Sequence, residues 1–223
     1  MKALKKSISP SPLMKMGILQ LFLSCGILFF TGCDKNNDEI DSKSVVLTDN
    51  TIRGTIDDFS NYSHLFDSLY ITDVSSNILT TCKVNTDGSF AAILPTPPPP
   101  TSLVSVSAGI PSKMFVSDAK AKICWVNQLL CFKNSAPTNC SLEFCIFDSN
   151  QTTQIVFIYC DRYCNVLGTS VQTYKDNPNT YTTTMNFSLS RGWNTLSVVI
   201  LEKGLKSIYT NSLPVDPIWV VNE

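Results

Sequence analysis

Beyond residue 44 the chain is built from short runs in which apolar and polar positions alternate, each closed by turn residues. In "TIRGTID" (Thr51 to Asp57), Ile52, Gly54 and Ile56 share one face at a period of two, the signature of a half-buried strand. "FDSLYIT" (Phe66 to Thr72) and "NILTTCKV" (Asn77 to Val84) repeat that period. "NTDGSFAAILP" then places Asp87-Gly88 as a tight hairpin turn, supplying positive φ, before a strand from Ser89 to Leu94. "PTPPPP" (Pro95 to Pro100) has no N–H to give a ladder at its prolines, so it ends that strand as a stiff connection, and "TSLVSVSA" (Thr101 to Ala108) resumes strand character. Further strands are expected at Ala121–Phe132, Leu142–Phe147, Thr153–Cys160, Asn165–Thr173, Tyr181–Leu189, Thr195–Leu201 and Ile218–Val221, with "RGWN" (Arg191 to Asn194) as a hairpin connection. No stretch of eleven or more residues holds a helical i, i+3, i+4, i+7 pattern. In "DAKAKICWVNQLLCFK" (Asp118 to Lys133), Ile123, Trp125 and Asn127 alternate with Cys124, Val126 and Gln128, which suits a strand or a mixed segment. The fold class is all-β: a β-sandwich, either two small units (45–111 and 112–223) or one continuous Greek-key-like sandwich.

The N-terminal segment changes the setting. Lys2, Lys5, Lys6 and Lys15 precede 14 uncharged, mostly apolar residues, Gly17 to Phe30. A helical membrane span needs about 20 apolar residues, so this run reads as the h-region of a signal peptide over residues 1–32. Translation from Met14 would make the leader compact. Phe30-Thr31-Gly32-Cys33 resembles the lipobox of bacterial lipoproteins, in which the cysteine thiol is acylated and becomes the first mature residue. That resemblance makes Cys33 the lipid attachment and the membrane, reached through an N-terminal lipid, the first partner. Phe30 stands where the family usually has Leu, and the bland alternative is an ordinary signal-peptidase site with Cys33 a plain thiol. "FLSC" at Phe22 to Cys25 competes, but apolar sequence follows Cys25 and a polar tether follows Cys33. Acyl chains contribute about 0.8 kcal/mol per buried CH₂, so two or three hold a protein at a bilayer. The tether, residues 33–44, carries Asp34, Asp38, Glu39 and Asp41 and has the composition of a disordered linker. Acids after the cysteine resemble the surface-export signal of Bacteroidota lipoproteins; equally, any tether must be hydrophilic. The expected location is the outer membrane, on the cell surface or the periplasmic face.

Three passages extend the resemblance to a widespread group of uncharacterised Bacteroidota β-sandwich lipoproteins: "G-x-I … V-N-T-D-G-S-F … L-P" (Gly54 to Pro95), "Y-C-D-R-Y-C-N-V-L-G-T" (Tyr159 to Thr169) and "F-S-L-S-R-G-W-N" (Phe187 to Asn194). They are turn and strand grammar; they imply a sandwich lipoprotein and bring no catalytic residue with them.

Loss of the 32 leader residues from 223 leaves 191, and loss of the four leader lysines from 17 basic residues leaves 13 against 18 acids, a formal charge of −5. That balance, without a Lys/Arg cluster, argues against nucleic acid as a partner. Seven cysteines remain beyond Cys25 and Cys33: Cys82, Cys124, Cys131, Cys140, Cys145, Cys160 and Cys164. With Ser149–Thr152 as a hairpin turn, Cys160 faces Ser141 beside Cys140. With Asp161–Tyr163 as the next turn, it also faces Cys164. Of the two, Cys140–Cys160 is the preferred candidate for a disulfide; a thiolate zinc site from Cys140, Cys145, Cys160 and Cys164 is the rival, and the baseline expectation is that most of the seven are plain buried thiols. No cofactor or metal is expected. His64 is the lone histidine, in the loop-like "NYSHLFD", and no GxSxG, HExxH, P-loop or dinucleotide pattern occurs. Glu143 and Glu202 lie in strand-like segments without marking themselves as a glycosidase pair. The expected role is a non-catalytic binding or structural one, toward an envelope protein. The alternative is glycan capture, with Trp125 and Trp219 as stacking surfaces and Trp193 packing its hairpin.

Overall fold

The structure, a computed structural model, describes residues 47, 50–148, 151–174 and 177–222. The leader, Cys33 and the tether lie outside the described residues. The fold is all-β and sandwich-like. Its strands are β1 (Thr51–Thr55), β2 (Ser68–Asp73), β3 (Ile78–Lys83), β4 (Ser89–Ile93), β5 (Val104–Ser105), β6 (Phe115–Val116), β7 (Lys122–Lys133), β8 (Ala136–Asp148), β9 (Gln151–Cys160), β10 (Cys164–Tyr174), β11 (Asn177–Leu189), β12 (Gly192–Leu201), β13 (Lys206–Thr210) and β14 (Ile218–Asn222). Two single-turn helices, α1 (Phe59–Tyr62) and α2 (Val106–Gly109), interrupt them. Strands β1 and β4 form an antiparallel ribbon. The others join in one sheet ordered β3-β2-β7-β8-β9-β12-β13-β11-β10-β6, with β14 added to β8 and β5 to β7. Residue 111 therefore does not divide the sheet: β2 pairs with β7 along most of its length.

Strand β7 is where the sheet branches. On one edge it takes β5 and then β2. On the other, Ile123–Trp125 pair with Ile158–Cys160 of β9, while Leu129–Lys133 pair with β8. Strand β8 meanwhile pairs with β9 only from Cys145↔Gln154 to Asp148↔Gln151. A register shift near Val126–Gln128 accompanies the branch. A bulge bends a strand and lets one ladder give way to another.

The branch separates two hydrophobic cores. The first gathers Ile52, Phe90, Cys124, Leu142, Phe157 and Trp219 under the β1–β4 ribbon and α1. The second gathers Ile123, Trp125, Ile158, Met185, Leu189 and Leu196, all from one continuous sheet, which therefore curls about them. Residues 123–126 of β7 and 157–160 of β9 are buried without a break. Strands that are buried on both faces lose the polar half of the alternation.

Three sequence expectations change. "RGWN" is not a hairpin, because β13 lies between β11 and β12, antiparallel to β12 and parallel to β11. The Arg191–Asn194 segment instead carries the chain from β11 to a strand pairing with β9, with Gly192 opposite Cys160 at φ +105°. Residues 106–108, expected as strand, begin α2. At the Asp87-Gly88 turn only Gly88 takes positive φ (+81°), while the Asp87 carboxylate accepts from the Ser89 N–H (2.9 Å) and hydroxyl (2.6 Å).

Trp219 closes the first core: it is stacked on Phe144 (centroids 4.5 Å apart) and edge-on to Phe90 (5.0 Å). Gly54 lies against its indole so closely that a Cβ there would overlap Nε1 and Cδ1. Gly54→Ala is expected to lower stability by about 1–3 kcal/mol, the range for overpacking a core. Urea unfolding checks this, and unchanged stability would contradict the close packing.

Candidate functional site

The aromatic platform on which the glycan-capture alternative depends is not formed by Trp125 and Trp219. Trp125 is 5% exposed in the second core, edge-on to Tyr209, and Trp219 is 2% exposed in the first. The two are thus placed in different cores. Trp193 is half-buried, packs edge-on to Tyr159 and donates through Nε1 to the Pro95 carbonyl at 3.0 Å. Both tryptophans follow the bland alternative of filling core positions, since their strands put them on inward faces.

The structure does not bring Cys140 and Cys160 together. The β8–β9 ladder is in register through Asp148↔Gln151, so the turn lies one residue earlier than expected and every partner is displaced by two, and β9 leaves β8 before reaching Cys160. Cys160 pairs with Ile123 and Gly192 and lies in the second core, whereas Cys140 lies in the first. All seven described cysteines are free thiols. The four-thiolate zinc set is likewise split between cores, and among the described residues no three His, Cys, Asp or Glu side chains are grouped for a metal. His64 is exposed beyond α1, and Glu202 sits in an exposed turn between β12 and β13 at φ +52°.

The polar groups that do converge are at the branch. Glu143 of β8 points away from the first core, where Leu142 and Phe144 are buried on either side of it. Gln154 of β9 donates its amide to Glu143 Oε2 at 3.2 Å, and Asn222 of β14 bonds to the same carboxyl. Burial pushes the Glu143 carboxyl above its ordinary value, with the two amides opposing. Cys145, two residues on and facing Gln154, has its thiol pushed up to about 12, first by burial and then by the Glu143 charge. A carboxyl of this kind can hold a proton and hydrogen-bond a neutral polar group, but the adjacent thiol is held protonated and is a poor nucleophile. The sequence contains Glu143 as a strand residue. Gln154 and Asn222 reach it through the β8–β9 register and the β14–β8 pairing, which no local pattern encodes.

Asp73 shows the contrasting, structural use of a carboxylate. It is fully buried at the end of β2 and accepts from the N–H groups of Ser75 and Asn77 (both 2.8 Å) and from the Asn77 amide (2.9 Å). Burial alone would raise it; these donors outweigh that and hold it below the usual carboxylate range.

A second feature is the outward face of β10 and β11. Inward residues such as Val166, Met185 and Leu189 fill the second core. The alternate set, Leu167, Thr169, Val171 and Thr173 with Thr180, Thr182, Thr184 and Asn186, faces away and has no charge. Thr169 and Thr184 hydroxyls meet across the strands at 3.1 Å, and Thr173 and Thr180 at 3.4 Å. Val171 is 62% exposed, and Phe115 of β6, opposite Leu167, 60%.

Compared with known proteins, the chain matches no family model, no curated protein and no solved structure.

The Glu143 environment predicts a pH dependence. A carboxyl whose folded value lies above its unfolded one favours the folded state while protonated. That contribution is whole below the unfolded value and is lost as pH rises through the folded one. The stability of wild type relative to Glu143→Gln should therefore fall across that interval and level off above it. Denaturant unfolding of both proteins from acid to neutral pH measures the difference, and a flat or rising difference would contradict the buried carboxyl.

Proposed function

We propose that the chain is a lipid-anchored outer-membrane protein, held through Cys33, that works in the envelope as a non-catalytic binding or structural module. The anchor rests on the basic, short-apolar, Phe30-Thr31-Gly32-Cys33 leader and the polar tether after it. The observation that carries the role is the uncharged outward face of β10 and β11, where threonine hydroxyls and apolar side chains alternate on a sheet whose reverse side is a packed core. A rigid, neutral face of this kind suits contact with another envelope protein. It offers no long flexible charges to immobilise, and its exposed Leu167, Val171 and Phe115 supply apolar area. The perturbed groups on β8, away from this face, favour the same reading: the Cys145 thiol is driven neutral and Glu143 is engaged by amides. The glycan-capture alternative has lost the Trp125–Trp219 surface on which it stood.

Two experiments test the reading in the full chain. Cys33→Ala should abolish acyl labelling and release the protein from the membrane fraction, while wild type stays bound; a variant still membrane-held without label would overturn the anchor. A photo-crosslinker at Val171 should give a discrete adduct in intact envelopes, while one at Ile93, equally exposed on β4, should not. Absence of an adduct at Val171 would count against this face.

A further inference from the structure

Cys131 and Cys140 lie at the step where β7 and β8 change register. The ladder runs Leu129↔Leu142 and Leu130↔Ser141, a register whose next step would set Cys131 against Cys140; the register shifts there and pairing resumes at Phe132↔Pro137, and the two thiols are close enough to interact electrostatically. Both side chains are on the inward face with Leu129 and Leu142, at 0% and 7% exposure, in the first core. The Thr138 hydroxyl ties the two backbones together: it donates to the Cys131 carbonyl at 2.8 Å and accepts from the Cys140 N–H at 3.2 Å. Directly opposed residues of antiparallel strands have Cα separations of about 4.5–5.5 Å, inside the range a disulfide bridges.

We propose that Cys131 and Cys140 are the residues of a disulfide that forms as the protein folds, stapling β7 to β8 at the register shift. The chemistry is exchange with a disulfide donor, either a thiol–disulfide oxidoreductase or glutathione disulfide. One cysteine thiolate attacks the donor's S–S bond, giving a mixed disulfide and one donor thiol. The second cysteine thiolate attacks that mixed disulfide, giving the Cys131–Cys140 bond and a second donor thiol. The pair loses two electrons and two protons, and the donor disulfide gains them as two thiols. Burial in the folded state pushes the Cys131 thiol up to about 12, so little thiolate exists once the core has closed, and the exchange belongs to the folding chain. The neighbouring geometry distinguishes this pair from other choices. Cys124, also in the first core, is paired across the ladder with Tyr159, and Cys145 faces Gln154 and Ile218.

The supply of oxidant in the cell rests on the export proposed above. The assay supplies its own, so its failure speaks against the pair and leaves export untouched. The full chain is unfolded, refolded in a glutathione redox buffer, denatured, alkylated and digested without reduction. The expected result is a link between Cys131 and Cys140, located by fragmentation, with neither residue alkylated. Cys140→Ala should remove the link and free Cys131 for alkylation, whereas Cys160→Ala should leave it in place. The wild-type map decides the matter even if a variant fails to fold. Full alkylation of Cys131 and Cys140, or a link from either to a different cysteine, would overturn the proposal.

Discussion

Two strands of this protein have no solvent side. Over Ile123–Val126 and Phe157–Cys160 every residue is buried, with odd and even positions feeding different cores. The ladder Ile123↔Cys160, Cys124↔Tyr159, Trp125↔Ile158 is thus the common wall of both. A strand in that position must be apolar on both faces and must have its backbone fully paired, because an unpaired buried N–H or carbonyl carries the cost of desolvation with no return. The branch follows from these demands. As β9 takes the first half of β7, β8 is left with the second half, and β14 covers the opposite edge of β8.

The chemistry of the molecule is set by the same burial. The Cys124 thiol between the two inner strands is held protonated, and Asp73 survives as a charged group only through its ring of donors at the β2–β3 turn. Glu143 sits at the place where β8 and β9 part, and amides from two other strands reach it. Polar residues are tolerated there because the backbone ladder itself divides. The exposed face of β10 and β11 has the opposite character, uncharged, with a packed core on its reverse side.

How much of this was legible in the sequence depended on whether the signal was local. Alternation placed β1 to β4, β7, β9, β10 and β12 close to their observed bounds, while residues 123–128 read only as strand or mixed, and the burial of 123–126 on both faces was not foreseen. Long-range register was not legible. "RGWN" has the composition of a hairpin turn, yet β13, five residues long, inserts between the strands it joins and separates them. The Cys140–Cys160 pairing failed for a related reason: a two-residue displacement moved the ladder, and β9 then left β8 for β7. Trp125 offered no local sign of which face it occupied, because a stretch buried on both sides gives no polar half to mark the outside, and Trp219 lies in a short apolar strand, Ile218–Val221, whose outward positions are apolar too.

If the inner strands are a shared wall, the two cores cannot melt apart. Trp219 reports on the first core and Trp125 on the second. Single-tryptophan variants retaining one or the other, with the remaining two replaced by Phe, would be unfolded in urea and followed by fluorescence alongside far-ultraviolet circular dichroism. Each variant is predicted to show one transition in which fluorescence and circular dichroism coincide. A variant in which the tryptophan signal separates from the secondary-structure signal would show that one core opens while the other stands, and would contradict the shared wall.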